Sequence, residues 1–568
     1  MKNFYLLALS VLVSTVAYAQ TQQQTDAAAR ESQKFTAQEQ QRLDAERLRL
    51  EGQKAPSGNN LNVQGAAAGK LIKADGSCPA LKRIKFTGSK LIDEWELEVF
   101  EAPFLGYCIT PELASQVLAA ATNFYLTRGF ITSRAYLPNQ NLKQGVLDVV
   151  IAEGQVADVV VKSEKPLNVG TAFVKDPDLG LNIRDLEQAV DQMNAVPGNN
   201  VVMAVSPGSQ EQTSQVVFTN TGKPALKGRV SLDNTGVEAT GIQGVSLALQ
   251  TGDLLSLNDV WAVNVRRSIS PKAKSSNSFS LDAKVPDGYN TFGFSYSKGG
   301  FDTLLTFPLS GAQLTSQGAN ESTMLSANRV IHRDQDSKHT LGIKLKRESV
   351  ESFIANTRID VNSRALDALV ISSESVLGFD RNVLIVTPEI SAGLSEVNNL
   401  PVGVNTPLEN PQSEYLRYKL SLDWSQPFTL NQQSWRWVSK FVSQYAAVPL
   451  YGSQQLIVGG ASSVRGSHFV SISGDSGFYL QNTLSLATNH KLGDQAIKAE
   501  YSLGYDFGRV SSNRAMVSES RMDALMLGSS FSAGGPWSLS LTHAVPVSVT
   551  GVDSKGNEYT SAVLSLDF

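Results

Sequence analysis

From Gly222 to Phe568 apolar residues recur at every second position, and nowhere in that stretch does an apolar run approach the ~18–20 residues that a spanning helix needs. Leu416, Tyr418, Leu420, Leu422 and Trp424 alternate with Arg417, Lys419, Ser421 and Asp423. Ile497, Ala499, Tyr501, Leu503 and Tyr505 alternate in the same way with Lys498, Glu500, Ser502, Gly504 and Asp506. A period of two belongs to the β-strand, whose successive side chains face opposite sides of the sheet. A water-soluble sandwich shows the same alternation with its apolar face inward. The length of the stretch and the aromatics near segment ends favour a membrane barrel, whose strands need only ~9–11 residues each. At ~20–22 residues per strand and connection, the zone holds roughly 16 antiparallel strands. The last segment, Tyr559–Phe568, places Ala562, Leu564, Leu566 and Phe568 on one face. Such a final strand is expected to pair with the first and so remove both open edges.

Residues 1–19 carry one cation, Lys2, the apolar run Tyr5 to Val13, and Ala17-Tyr18-Ala19 ahead of Gln20. That order is a secretory signal peptide with a small-residue cleavage site; a membrane anchor would need a longer apolar run. The formal charge of −4 becomes −5 once Lys2 leaves (48 Lys+Arg against 53 Asp+Glu), so there is no basic excess of the kind that binds nucleic acid. The two cysteines, Cys78 and Cys108, form an isolated pair. In an oxidising periplasm such a pair favours one disulfide over two free buried thiols or a metal site.

Between signal and barrel lie three further zones. Residues 20–53 are dense in Ala, Gln, Glu and Arg, with Glu39, Arg42, Glu46 and Arg49 at helical spacing. The apolar stripe is too narrow for an ordinary core, so this helix sits in water or a polar cavity unless it is a frayed tail. Residues 54–77, rich in Gly, Asn and Ala, read as a linker. Two strand–helix–strand–strand units then follow, 78–154 and 155–221. In the first, Leu81–Phe86 is a strand, Thr110 and Pro111 open a helix that runs to Tyr125, and Ile131–Leu137 and Val146–Ile151 are strands. In the second, the strand Val156–Val161 precedes the helix Asp185–Met193 and the strands Val201–Val205 and Thr213–Phe218.

Three stretches carry a family resemblance. Tyr125-Leu126-Thr127-Arg128-Gly129-Phe130-Ile131 with the strand after it resembles part of a first POTRA domain. Asn182, Arg184, Asp185, Glu187 and Gln188, followed by Pro207-Gly208, resemble the helix and strand of a second. Val464-Arg465-Gly466 is similar to the tip of an inward-folded sixth barrel loop, and Gly504, Asp506 and Gly508 to its wall motif. Together they resemble the two-partner secretion (TpsB) transporters of the outer membrane, ShlB/FhaC/HecB/CdiB-like proteins related to the BamA-type POTRA barrels. One departure is Ser467, where the family has an aromatic.

The loop and wall pair is also intelligible physically. A guanidinium inside a barrel loses hydration and needs a carboxylate to accept its planar fork, and Asp506 falls on the polar face of its strand. Gly504 and Gly508 share that face and clear space on the wall, and Gly466 allows close backbone approach.

Enzymatic readings are weak. Gly474-Asp475-Ser476-Gly477 mimics a protease nucleophile segment, but none of the five histidines stands in the alanine-histidine-cysteine context those enzymes use. Gly65–Lys70 is one residue short of a phosphate loop, with Leu71 where a magnesium-binding hydroxyl belongs. No catalysis, cofactor or metal is expected. The resemblance implies a barrel in outer-membrane lipid with periplasmic POTRA domains, which as a monomeric pore exports a secreted TpsA-type exoprotein: a haemolysin, adhesin or contact-dependent toxin. It further implies that the helix in residues 20–53 plugs the lumen at rest, and that the passenger's extended segments add to POTRA strand edges. The alternatives are a BamA-type assembly factor, which usually brings more POTRA units, and a passive porin, which lacks them.

Overall fold

A computed structural model of the chain describes residues 71–164, 167–173, 180–223, 225–271, 273–306, 313–359, 363–394, 411–467, 470–493, 495–513, 519–550 and 558–568. The expected signal peptide and plug helix lie outside these residues. The expected linker is described only from residue 71, where Lys73 pairs with Tyr107 in an isolated antiparallel bridge.

The first module contains β1 (Arg83–Thr87), the helices α1 (Glu94–Glu101) and α2 (Pro111–Thr127), β2 (Arg134–Tyr136) and β3 (Val146–Ala152). Its sheet runs β1-β3-β2, with β1 parallel and β2 antiparallel to β3. The α2 start follows from its cap: the Thr110 hydroxyl accepts from the Leu113 N–H at 3.2 Å and Pro111 fills the first position. Leu113, Val117, Ala121 and Tyr125 recur every fourth residue and are buried with Ile84, Leu147, Val149 and Ile151.

Helix α1 corrects the expected strand–helix–strand–strand order of this module. Trp95-Glu96-Leu97-Glu98-Val99 alternates like an exposed strand, yet it coils because Leu97 and Phe100 dock on the core. The Phe100 ring meets Phe86 at 5.7 Å and Phe124 at 5.2 Å, both edge-on. The strand expected over Ile131–Leu137 shortens to β2, because Ile131 and Ser133 donate their N–H groups into a tight turn at Gly129 and Phe130.

The second module follows after two residues, with β4 (Gln155–Ser163), α3 (Ile183–Ala195), β5 (Val201–Pro207) and β6 (Thr213–Asn220) in sheet order β4-β6-β5. Leu186, Ala189 and Met193 on α3 pack on Val201, Val216 and Phe218.

The barrel takes the rest. In chain order it comprises β7 (Lys227–Asp233), β8 (Gly244–Gly252), β9 (Val260–Ser268), β10 (Ser275–Asp287), β11 (Asn290–Thr306), β12 (Gln313–Arg333) and β13 (Ser337–Ile354). A two-residue strand, β14 (Thr357–Arg358), is followed by β15 (Arg364–Phe379), β16 (Asn382–Leu394), β17 (Leu416–Leu430) and β18 (Gln433–Ala446). Two short strands, β19 (Leu456–Val458) and β20 (Ile472–Gly474), lie inside a loop. Then come β21 (Ser476–Leu492), β22 (Gln495–Ser511), β23 (Ser520–Ser532), β24 (Trp537–Thr550) and β25 (Tyr559–Asp567). With β14, β19 and β20 set aside, sixteen strands pair antiparallel with their neighbours, and β25 pairs with β7 to close the cylinder. Leu341, Ile343 and Leu345 on β13 are exposed on the outside. On the alternate positions Lys344 and Lys346 face the interior, where Lys346 pairs with Glu348 at 2.7 Å. The outer face is apolar and the lumen is charged, as a membrane barrel requires.

Candidate functional site: loop tip, barrel wall and docking helix

The connection between β18 and β21 is the sixth on the side of the barrel away from the modules, and it folds inward. The small β19–β20 hairpin forms its stalk. At its tip Ser463 is buried, and its hydroxyl accepts from the Gly459 N–H at 2.9 Å, closing a tight turn. That turn presents Arg465 to β22. Arg465 Nε donates to Asp506 Oδ2 at 2.7 Å, Nη2 donates to Oδ1 at 2.6 Å, and the Arg465 backbone N–H adds a third bond to Oδ2 at 3.0 Å. Nη2 also reaches the Thr483 hydroxyl at 3.1 Å. Asp506 is fully buried and the Arg465 side chain is 16 % exposed. A charge pair this dry holds only when the fork geometry is satisfied, which these bonds achieve.

The wall and tip glycines stand where the two surfaces meet. A Cβ on Gly504 would stand 2.9 Å from Arg465 Nη2, and one on Gly508 2.4 Å from Val458 Cγ1 and 3.1 Å from Val464 Cγ2. A Cβ on Gly466 would meet Met522 Cε at 2.9 Å and Ala524 Cβ at 3.1 Å. Val464 is fully buried in an apolar cluster with Val458, Tyr479, Val510, Met522 and Ala524 that shields the ion pair on one side. Ser467, where the resemblance calls for an aromatic, is buried and accepts from the Val470 N–H at 3.0 Å.

The second-module residues divide between two neighbours. The Asn182 side chain caps α3 by accepting from the Arg184 N–H at 2.9 Å and donates to the Arg128 carbonyl of the first module at 3.1 Å. Gly129 lies against it, with φ +95° and no room for a Cβ beside Asn182 Oδ1. Arg184 Nη1 forks onto both Glu187 oxygens at 2.9 and 2.8 Å. Asp185 accepts from the hydroxyl of Tyr289, in the β10–β11 turn. Gln188 Oε1 accepts from Arg333 Nη1 at 3.1 Å, and Arg333 also reaches Asp191. Helix α3 is thus the fastener between both modules and the barrel. Burial raises the Asp185 carboxyl above its usual range, although the Tyr289 bond opposes this.

Cys78 and Cys108 are joined, with their Cα atoms 5.5 Å apart, and they tie the segment before β1 to the approach to α2. Sequence reasoning passed over Gln454, Tyr289 and Arg333, and met Asp475 only as a possible piece of chemistry. Asp475 stood inside the protease-like tetrapeptide, but nothing local marked it as structural.

Comparison with known proteins agrees with this arrangement. The family described as haemolysin secretion/activation protein ShlB/FhaC/HecB matches residues 212–535, a ShlB-type POTRA domain matches 80–154, and a further POTRA domain matches 155–207. The chain is 30 % identical over 420 residues to an outer membrane transporter CdiB of Dickeya dadantii (strain 3937), covering 73 % of this chain and 74 % of that one. It is 26 % identical over 409 residues to the hemolysin transporter protein ShlB of Serratia marcescens, covering 71 % of each. The fold is similar to that of CdiB from Escherichia coli, with TM-score 0.82 and 24 % identity over 94 % of this chain and 98 % of that one. CdiB from Acinetobacter baumannii gives 0.80 and 21 % over 94 % and 99 %. With a family match over more than half of its length, two POTRA modules and a closed barrel, the chain belongs to the ShlB/FhaC/HecB family of two-partner secretion transporters of the outer membrane.

Proposed function

We propose that this transporter takes one large TpsA-type exoprotein from the periplasm through its barrel to the cell surface, as a monomer in outer-membrane lipid and without cofactor, metal or catalysis. The observation that carries the reading is the sixth loop, which is folded into a charged lumen and held at its tip by one carboxylate. A loop so held blocks the passage while the Arg465–Asp506 pair is made and clears it when the pair breaks. Residues 1–19 act as signal peptide, 20–53 as plug helix, 54–77 as linker, 78–154 and 155–221 as POTRA domains, and 222–568 as barrel. The passenger, a haemolysin, adhesin or contact-dependent toxin, adds extended segments to the module edges. Strand β4 supports that role, since it is an edge nine residues long with Val161 exposed. The test is deletion of Cys78–Asn220 from the chain expressed with its exoprotein. The barrel inserts and exports nothing; secretion by the deleted form would end this reading.

A further inference from the structure

The root of the sixth loop is fastened separately from its tip. Gln454 is 5 % exposed and makes five bonds to four wall residues. Its Oε1 accepts from the Tyr415 hydroxyl at 3.1 Å and from Arg417 Nη1 at 3.0 Å, and its Nε2 donates to Glu348 Oε2 at 3.1 Å. Its main-chain carbonyl accepts from Gln444 Nε2 at 3.0 Å and from Arg417 Nη1 at 3.2 Å. On the returning arm the fully buried Asp475 accepts from the Leu450 N–H at 2.8 Å, Gln455 Nε2 at 2.9 Å, the Asn513 N–H at 2.7 Å and the Ser512 hydroxyl at 3.1 Å. The tip, by contrast, has one carboxylate, Asp506, as its charged anchor, beside the Thr483 bond and the packing of Val464. Between root and tip Gly459 and Gly460 sit at φ +124° and +98°, a backbone that side-chain-bearing residues rarely adopt.

We propose that Gln454 is a positioning residue for export: it pins the loop root to the inner wall so that only the tip beyond Gly459 swings, and Arg465 returns to Asp506 after each excursion. The physical reason is local concentration. A guanidinium on a short tether with a fixed root finds its carboxylate far more often than one on a loop free at both ends. Losing the Asp506 carboxylate removes the tip's charged anchor, whereas the root is held by groups from β13, β17, β18 and the segment after β22. The secretion readout rests on the transport reading; the position of the tip does not.

The test uses the full chain in outer membranes with a single reporter, Ser467→Cys, at a side chain only 3 % exposed when the tip is docked, which a maleimide reaches when the tip swings out. In that background Gln454→Glu places two carboxylates side by side and raises the labelling rate about threefold or more. Adding Glu348→Gln restores a donor opposite the new acceptor and returns the rate toward that of the parent. In the chain without the reporter, export falls and recovers in step, while heat-modifiable migration shows the barrel folded in every variant. Unchanged labelling in Gln454→Glu, or no recovery on adding Glu348→Gln, overturns the proposal. The expected labelling pattern in a chain that exports nothing upholds the root's role and sinks the transport reading instead.

Discussion

Arg333, at the periplasmic end of β12, donates through Nη1 to Asp191 on α3 at 2.6 Å while its own side chain is only 1 % exposed. Because Asp191 belongs to the second module and Arg333 to the barrel, one buried guanidinium holds the two bodies in a fixed relation. Removing it costs docking about 1.5–3 kcal/mol, the range for a hydrogen bond to a charged group, because Asp191 itself stays 37 % exposed. Arg333→Ala is expected to raise amide exchange along α3 and in the β10–β11 turn, with the barrel still inserted. Unchanged exchange in both places would refute the fastening role.

Arg465→Lys keeps the charge but loses the planar fork, so it satisfies one Asp506 oxygen at a time and drops the Thr483 bond. Export is expected to fall sharply, nearly as far as in Arg465→Ala. Asp506→Ala strands the guanidinium, and loop docking weakens by about 3–5 kcal/mol. The double variant is expected to be no worse than the worse single one, because the two side chains act as a unit. Additive losses in a secretion assay would contradict that.

Gly508→Val tests the clearance on the wall. The added branch collides with Val458 and Val464, so the stalk moves inward and carries the tip from its carboxylate. The expected result is a protease-accessible sixth loop in a normally inserted barrel.

The Cys78–Cys108 bond encloses about thirty residues, with a sequence separation of 30. Closing a loop of that length removes about 3–4 kcal/mol of unfolded-state entropy. Cys78→Ser with Cys108→Ser is expected to lower the melting temperature of the first module, and a reductant to have no further effect on that variant. Identical melting with and without the bond would show that it contributes nothing.

Asp185 titrates in a known direction. Its docked carboxyl is raised, chiefly by burial, above its undocked value of about 3.9. The stabilisation it gives when protonated is therefore full below that value and is lost as the pH rises through the raised one. Asp185→Asn keeps an acceptor for Tyr289 without the charge, so docking of α3 is expected to lose pH dependence across that window and to be slightly firmer near neutrality. A steeper pH dependence in exchange measurements would reverse the sign.

The barrel was legible because alternation is a property of each strand alone: Leu416 to Trp424 shows it without reference to neighbours. The Arg465–Asp506 pair was legible through the resemblance of both stretches to the family's loop-tip and wall motifs, since an Arg-Gly in a loop says little by itself. Helix α1 was not, since Trp95 to Val99 alternates in a helix whose apolar contacts come from elsewhere in the module. Nor was the root of the sixth loop. Gln454 gains its partners from Glu348, Tyr415, Arg417 and Gln444, which are brought together only by the curvature of the wall, and a pair of glutamines, Gln454 and Gln455, carries no period or spacing to betray it. Asp475 was weighed as chemistry and turned out to be architecture.

The seam between β25 and β7 is registered over five residue pairs, from Val563 opposite Asp233 to Asp567 opposite Arg229, whereas β11 and β12 share seventeen. Each rung contributes little by itself, and rungs between long strands support one another along the ladder. Under heat or load the cylinder is therefore expected to open first along this line, where the Arg229–Asp567 ion pair and the Asn234 side chain supplement a short ladder. The line that closes the wall is thus also its shortest stitch.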